Sequence, residues 1–309
     1  MSSSAASDVA ELRIVCGPTA AGKSAVAMAL AERHGLTIVS ADSRQIYRRF
    51  DAGTAKPSAA ERARVPHRGI DVADPTERYS AARWCDEADR WIAECGAGKA
   101  LVVGGTGFYI KSLVAPLFDA PPLDETRRRA LQAELETLSH DALRRWVAVL
   151  DESLAHLGRT QLLRAIETAL LAGERLSVLQ QRNARPPRYR ARWLVIDPGA
   201  ELQAHIERRL DAMLAGGWPD EVRALTRDVP ADAPAWNACG YGAVRDWVAG
   251  RTTAAAAREA ILVETRQYAK RQRTWFRNQL AGEQVTRLDP ADPRALERAG
   301  DWWHDGDDA

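Results

Sequence analysis

The chain has 309 residues, a formal net charge of +1, 46% hydrophobic residues and 28% charged residues. This composition is ordinary for a globular protein with a substantial core. No apolar stretch reaches the roughly 18–20 residues of a bilayer-spanning helix, and the N-terminal residues lack the basic and apolar parts of a secretory signal. The four cysteines form no CxxC pair, so we expect free thiols in a cytoplasmic protein.

The first part of the chain alternates short apolar runs with helical stretches. Residues 12–16, 37–40, 101–103 and 193–196 have the β-branched, uninterrupted apolar character of buried parallel strands, and two helices are predicted at 23–34 and 80–95. Strands that alternate with helices are typical of doubly wound α/β proteins. The pattern predicts a P-loop NTPase-like parallel sheet flanked by helices.

Strand-like segments stop near residue 118. Residues 126–138, 142–150 and 160–171 all have helical patterns. We therefore predict a core that begins at 1–118, an all-helical insertion domain at 119–190, and a return to the core at 191–309. Two further helices are expected at 201–215 and 254–279, and the second has basic residues at helical spacing: Arg266, Lys270, Arg273 and Arg277.

A phosphate-binding loop follows the first predicted strand. The segment Gly17-Pro18-Thr19-Ala20-Ala21-Gly22-Lys23-Ser24 matches G-x-x-x-x-G-K-[ST] and opens the first predicted helix. Its backbone N–H groups, the helix N-terminus and the Lys23 ammonium favour an anion, and the Ser24 hydroxyl can bind Mg²⁺. The loop reads phosphates only, so it does not by itself identify the compound that carries them.

Two aspartates are candidates for the carboxylate that would bind Mg²⁺ together with Ser24. ATP-dependent enzymes of this class place an acid at the end of another core strand, yet the strand at 101–103 is followed by Gly104-Gly105-Thr106. Asp42 and Asp197 each follow another strand and could hold the metal, or could serve in a cap or turn. An ATP-dependent kinase and an RNA-binding ATP switch are the alternative functions at this point.

Seven further segments have a distinctive sequence. They are SADSRQIY at 40–47, GTAKP at 53–57, PHRGID at 66–71, VGGTGFYIK at 103–111, GGWPDEVRAL at 216–225, CGY at 239–241 and TRQYAKRQRTWFR at 265–277. Together with the P-loop they form an ordered series that is far more specific than the loop alone. In this series the sequence resembles the bacterial tRNA dimethylallyltransferases, also called tRNA isopentenyltransferases, over nearly the whole chain.

The resemblance implies transfer of a dimethylallyl group from dimethylallyl diphosphate to the exocyclic amine of an adenosine in tRNA. The adenosine lies immediately 3′ of the anticodon in tRNAs that read codons beginning with U. By this resemblance the P-loop holds the donor diphosphate with Mg²⁺, and Asp42 is the general base. Lys23 and Arg223 neutralise the departing diphosphate, and Thr106 contacts both substrates. We also expect a monomer.

The resemblance implies an extended tRNA interface around the anticodon stem-loop. Asp42, Ser43, Arg44, Gln45 and Thr106 are expected to hold the flipped nucleotide. Basic residues with interleaved aromatic residues suit single-stranded RNA loops, although a solvated helix with aromatics in the core is the alternative. Two places depart from the family pattern. One is the segment 155–163, and the other is Arg49, where the family usually has glycine. The remaining implied contacts are Arg127, Thr160, Gln161, Leu162, Leu163, Arg164, Cys239, Gly240, Tyr241, Lys270, Arg271, Arg273, Trp275 and Arg277.

Overall fold

The structure is a computed structural model that describes residues 9–115, 117–118, 121, 123–280 and 284–305. Its strands are β1 Glu11–Cys16, β2 Thr37–Ser40, β3 His67–Arg68, β4 Ala100–Gly104, β5 Leu117–Phe118, β6 Ala184–Arg185, β7 Arg190–Ile196 and β8 Val285–Leu288. Its α-helices are α1 Lys23–His34, α2 Ala59–Arg64, α3 Ala81–Cys95, α4 Gly107–Val114, α5 Glu125–Glu136, α6 His140–Leu150, α7 Arg159–Ala172, α8 Leu176–Arg182, α9 Leu202–Ala215, α10 Trp218–Leu225, α11 Tyr241–Val248, α12 Ala254–Gln279 and α13 Ala295–His304.

Six of the described strands form one parallel sheet in the order β3-β2-β4-β1-β7-β8. The central strand β1 pairs with β4 on one side and with β7 on the other, so that Cys16 lies opposite both Gly104 and Val195. The sequence-based prediction of a parallel α/β sheet is confirmed. The edge strands β3 and β8 were not predicted, because they are short and only partly apolar.

The chain divides into two compact units. The first holds the described residues of Met1–Val114 and Arg188–Ala309, and the second holds those of Ala115–Pro187. The second unit contains α5 to α8 around a core of leucine, valine and isoleucine side chains. The boundaries of this second unit differ by a few residues from those of the predicted insertion at 119–190. The antiparallel strand pair β5–β6 is a small exception to the predicted all-helical character.

Parallel strands bring their carboxyl ends to one edge of the sheet, which is where ligands bind in open α/β sheets. In the first unit β1 ends at Cys16 before the P-loop, β2 ends at Ser40 before Asp42, and β4 ends at Gly104 before Thr106. The sheet therefore brings these three segments together. Within the described residues, no helix is long and apolar enough to cross a membrane.

Candidate active site

A cavity of about 470 Å³ lies over the carboxyl ends of β1, β2 and β4. We call it the main cavity. The P-loop residues Thr19 to Ser24 line one side, and Asp42 with Gln45 lines another. Helices α9 and α12 contribute Arg209, Tyr268 and Gln272. The P-loop and the segment after β2, which the sequence predicted separately, thus share one cavity.

The P-loop has a backbone that only particular residues can adopt. Gly17 has φ +146°, and a Cβ atom there would lie 2.1 Å from the carbonyl oxygen of Ile196, so only glycine fits. Gly22 has φ +89° and immediately precedes α1, whose N-terminus supplies partial positive charge. The Lys23 ammonium donates a 2.6 Å hydrogen bond to the Pro18 carbonyl, which closes the curl.

Two cations in the main cavity lie in an environment that disfavours their charge. Burial, together with the nearby Arg209 guanidinium, lowers the pKa of Lys23 to about 8, while Asp42 acts in the opposite direction. Burial likewise lowers the pKa of Arg209, with Asp42 again acting in the opposite direction. An anion bound between Lys23 and Arg209 would relieve this cost, because opposite charge favours the protonated forms of both groups.

Arg209 was not among the residues predicted from sequence. It lies on α9, and its Nη1 donates a 3.1 Å hydrogen bond to the Thr19 hydroxyl in the P-loop. In the sequence, Arg209 is one of several charged residues in a helix, and no pattern distinguishes it from the others. Only the packing of α9 beside the P-loop identifies Arg209 as a cavity residue.

Asp42 lies in a turn that fixes one of its carboxylate oxygens. Oδ1 accepts hydrogen bonds from the backbone N–H groups of Arg44, at 2.8 Å, and Gln45, at 3.4 Å. Oδ2 has no hydrogen-bond partner among the residues that the structure describes. Asp42 therefore has a held side chain with one oxygen available to a substrate proton.

Thr106 is tied to the same turn. Its Oγ1 accepts a hydrogen bond from the Ser43 N–H at 3.0 Å and donates one to the Ser43 hydroxyl at 3.3 Å. The Thr106 N–H donates to the Ala41 carbonyl at 3.2 Å. The end of β4 and the turn after β2 are consequently one hydrogen-bonded assembly.

Gln45 is also fixed within the protein. Its side-chain amide donates hydrogen bonds to the carbonyls of Thr54, at 3.3 Å, and Ala55, at 3.1 Å. Its oxygen accepts a 3.1 Å bond from the Ser40 hydroxyl. With these bonds in place, Gln45 supports the turn beside Asp42.

A small apolar pocket of about 80 Å³ adjoins the main cavity, with Asp42 and Arg209 lining both. Its apolar wall consists of Ile206, Leu210, Met213, Trp218 and Ile261. Cys239 also lines it, and burial raises the pKa of this thiol to about 11, so the side chain is uncharged at neutral pH. We call this space the apolar pocket; its size suits a short branched hydrocarbon group.

Two predicted site residues lie elsewhere. Arg223 is half-exposed on α10, pairs with Asp220, and lines a separate cavity that also contains Arg245. Tyr241 is fully buried, and its hydroxyl donates a 2.6 Å hydrogen bond to Glu221. The structure therefore does not bring Arg223 to the diphosphate loop, and it leaves no side-chain surface of Tyr241 for RNA.

Helix α12 carries the predicted basic residues with different partners. Lys270, Arg271 and Arg277 are exposed. Arg273 instead forms a forked ion pair with Asp197, with one N···O distance of 3.0 Å, and it also bonds the Gly199 carbonyl. Lys270, Arg273 and Arg277 line one further cavity of about 500 Å³, to which β8 adds Arg287.

The other predicted tRNA contacts differ in exposure. Trp275 is half-buried, close to the Gly107 backbone, and Gly240 donates its N–H to Glu264 at 2.9 Å. In the second unit Leu162 is fully buried in the core, which removes its side chain from any RNA surface. Of the other predicted contacts in that unit, Arg127, Thr160 and Gln161 are exposed, whereas Leu163 and Arg164 are half-buried.

Only one of the two candidate aspartates lies in the same cavity as Ser24. Ser24 and Asp42 line the main cavity together, whereas Asp197 is engaged by Arg273 and lines a different cavity. No cluster of three or more His, Cys, Asp or Glu side chains suited to a metal occurs in the described part of the chain. A hydroxyl and a carboxylate fit Mg²⁺, which keeps several waters and needs few protein ligands when phosphate oxygens are present.

Comparison with known proteins identifies the family. The IPP transferase family matches residues 45–279, and the isopentenyl transferase family matches residues 10–67. A tRNA dimethylallyltransferase of Bordetella parapertussis is 42% identical over 306 residues, covering 92% of this chain and 98% of the relative. The Deinococcus radiodurans protein of that name is 39% identical, covering 93% and 97%.

Solved structures are similar throughout. A tRNA delta(2)-isopentenylpyrophosphate transferase of Staphylococcus epidermidis matches with a TM-score of 0.66 and 30% identity, over 94% of this chain and 98% of that one. A eukaryotic dimethylallyltransferase acting on tRNA has a TM-score of 0.73 at 23% identity, over 94% and 77%, which supports the fold. The match to well over half of the chain, with relatives aligned over nearly their full length, shows that the chain belongs to the IPP transferase family.

Proposed function

We propose that this enzyme transfers a dimethylallyl group from dimethylallyl diphosphate to the exocyclic amine of the tRNA adenosine immediately 3′ of the anticodon. One observation carries the proposal: a diphosphate-binding loop with two desolvated cations, a carboxylate with a free oxygen, and an apolar pocket of five-carbon size all adjoin each other. The names of the relatives support the same reaction.

The proposed reaction is a single alkyl transfer. The bond between donor C1 and the diphosphate oxygen breaks, its electron pair leaves with the diphosphate, and a bond forms between C1 and the adenine N6. The N6 proton passes to Asp42, because an aryl amine is a weak nucleophile and a carboxylate within hydrogen-bond reach assists it. Oδ2 of Asp42 is the oxygen left available for this proton.

The diphosphate end is held by the P-loop with Lys23 and Arg209. Arg209 takes the role expected for Arg223, since it reaches Thr19 in the P-loop while Arg223 pairs with Asp220. Charge placed in advance around a leaving group stabilises the transition state without reorganisation. Ser24 would hold Mg²⁺ through its hydroxyl, with bound water and donor phosphate oxygens as further ligands, and the metal would add positive charge beside the leaving oxygens. Asp42 is then left to act as the base.

The donor hydrocarbon is assigned to the apolar pocket. Its walls of Leu210, Met213 and Trp218 exclude water from the reacting carbon, and its volume of about 80 Å³ limits the chain length. The target adenine enters from the side of Thr106 and the Ser43–Gln45 turn, after it leaves the stack. Exposed Lys270, Arg271 and Arg277 supply phosphate contacts for the anticodon stem-loop.

The proposed setting is the cytoplasm, where the four cysteines remain free thiols. The monomeric state stays a prediction, which sedimentation analysis would test. A tRNA set limited to codons beginning with U also belongs to the proposal.

The deciding experiment incubates the protein with unmodified tRNA and dimethylallyl diphosphate in Mg²⁺, and measures pyrophosphate release and tRNA mass. We expect stoichiometric pyrophosphate and a mass gain of one dimethylallyl group. Asp42→Asn should lower turnover by about 10²–10⁴ while tRNA affinity is kept, because the amide oxygen preserves the turn. Tight ATP binding with phosphate release and no affinity for the isoprenoid donor would contradict the proposal.

A further inference from the structure

Gln272 is a buried amide that joins two segments distant in sequence. It lies on α12 with 7% of its surface exposed. Its Oε1 accepts a 2.7 Å hydrogen bond from the Thr19 N–H in the P-loop, and its Nε2 donates a 2.8 Å bond to the Gly105 carbonyl after β4. An amide is the side-chain group that supplies an acceptor and a donor side by side.

A side chain at Gly105 would have to displace the Gln272 amide from this contact. A Cβ atom at Gly105 would lie 2.4 Å from Nε2 of Gln272. The next residue, Thr106, holds the Ser43 N–H, and Ser43 follows Asp42. A continuous path of hydrogen bonds and peptide bonds therefore runs from the P-loop through Gln272 and Gly105 to the carboxylate.

Thr19 is fixed at two atoms. Its N–H is bound by Gln272, and its hydroxyl is bound by Arg209 at 3.1 Å. Arg209 contributes charge to the cavity, whereas Gln272 is uncharged and contacts backbone atoms at both ends. Its effect is therefore geometric.

We infer that Gln272 is a positioning residue that sets the separation between the diphosphate loop and Asp42. The inference rests on the proposed function, because it concerns the distance between the leaving group and the attacking amine. Bond formation between bound groups depends steeply on that distance, and a displacement of about 1 Å can cost about 10²-fold in rate. Since α12 also carries Lys270 and Arg271, the helix expected to contact tRNA holds the donor loop as well.

The first test replaces Gln272 with methionine, which keeps the length and removes both hydrogen bonds. We expect the single-turnover rate at saturating substrates to fall by about 10²-fold, with the Kd for dimethylallyl diphosphate and for tRNA changed less than about threefold. Gln267→Met, at an exposed position of the same helix, is the matched control and should keep the wild-type rate. Melting curves establish that each variant is folded.

A second test breaks the same hydrogen bond from the other side. Gly105→Ala should displace the amide and lower the single-turnover rate similarly. Gly105→Ala combined with Gln272→Ala should cost no more than Gln272→Ala alone, since the bond that Gly105→Ala disrupts is already absent without the amide. Rate reductions that multiply in the double variant would overturn the inference, as would a Gln272→Met rate close to wild type or a defect expressed only in donor affinity. Failure of the wild-type protein to prenylate tRNA would instead reject the proposed function.

Discussion

Arg209 donates to the Thr19 hydroxyl inside the main cavity, whereas Arg223 pairs with Asp220 on a half-exposed helix. Both are arginines in amphipathic helices, and a motif comparison alone favoured Arg223. The difference between them is solvation. A guanidinium beside a buried diphosphate loop is worth far more to the transition state than one that is screened by water.

These two arginines give the prediction at the scale of single residues. Arg209→Ala should reduce turnover by about 10²–10³-fold, because the leaving group is then stabilised by one preorganised charge fewer. Arg223→Ala should change turnover less than about threefold, since Arg223 lines a different cavity. Steady-state assays with saturating tRNA compare them, and the opposite ranking would restore the assignment made from sequence.

Helices α9 and α12 combine polar and apolar parts of the site. On α9, Ile206, Leu210 and Met213 line the apolar pocket from the same face that presents Arg209. Residues spaced by three or four positions share one face of a helix, so charge and hydrocarbon surface lie side by side. On α12, Gln272 faces inward to the P-loop while Lys270 and Arg271 are exposed.

The wall formed by α9 predicts donor length selection. Met213→Ala enlarges the apolar pocket, so the ratio of kcat/KM for the ten-carbon geranyl diphosphate over dimethylallyl diphosphate should rise by about tenfold or more. Leu214→Ala, on the same helix but outside the pocket lining, is the control. An unchanged ratio in Met213→Ala would place the hydrocarbon in another part of the cavity.

The exposed face of α12 predicts a salt-dependent interface. Lys270→Ala and Arg271→Ala should weaken tRNA binding and lower the slope of log K against log salt by roughly 0.7–0.9 for each phosphate that is no longer neutralised. Affinity for the donor should stay unchanged. Arg258→Ala, near the start of α12 and paired with Asp211, serves as the control in filter-binding titrations. Identical slopes for all three variants would exclude this face as the tRNA footprint.

At the scale of the whole molecule, the P-loop couples ligand binding to stability. Under the proposed function diphosphate binds the folded state alone, so about 100 Kd of it should stabilise the protein by roughly 2.7 kcal/mol. For a chain of this size, that corresponds to several degrees in Tm. We expect this increase in Tm when diphosphate and Mg²⁺ are both present, and a smaller increase when a chelator removes the metal. In Ser24→Ala the increase in Tm should be the same with and without metal. Equal shifts with and without metal would remove Ser24 from the metal site.

The sequence was sufficient where local pattern decides structure. The P-loop, the helices at 23–34 and 254–279 and the strand at 37–40 were predicted with the bounds that the structure has, because periodicity and glycine placement act over a few residues. The short strand β3 and the edge strand β8 were missed. Their conformation comes from pairing with β2 and β7 rather than from their own residues.

The sequence by itself determined the parallel α/β fold and the pattern of the phosphate loop, and it predicted Asp42 as the base that acts beside that loop. Only the tertiary structure selected Arg209 over Arg223, removed Leu162 and Tyr241 from the RNA surface, and revealed the Gln272 link. The reason is physical: motifs record which residues are neighbours along the chain, whereas desolvation, cavity size and long-range hydrogen bonds exist only after helices and strands pack.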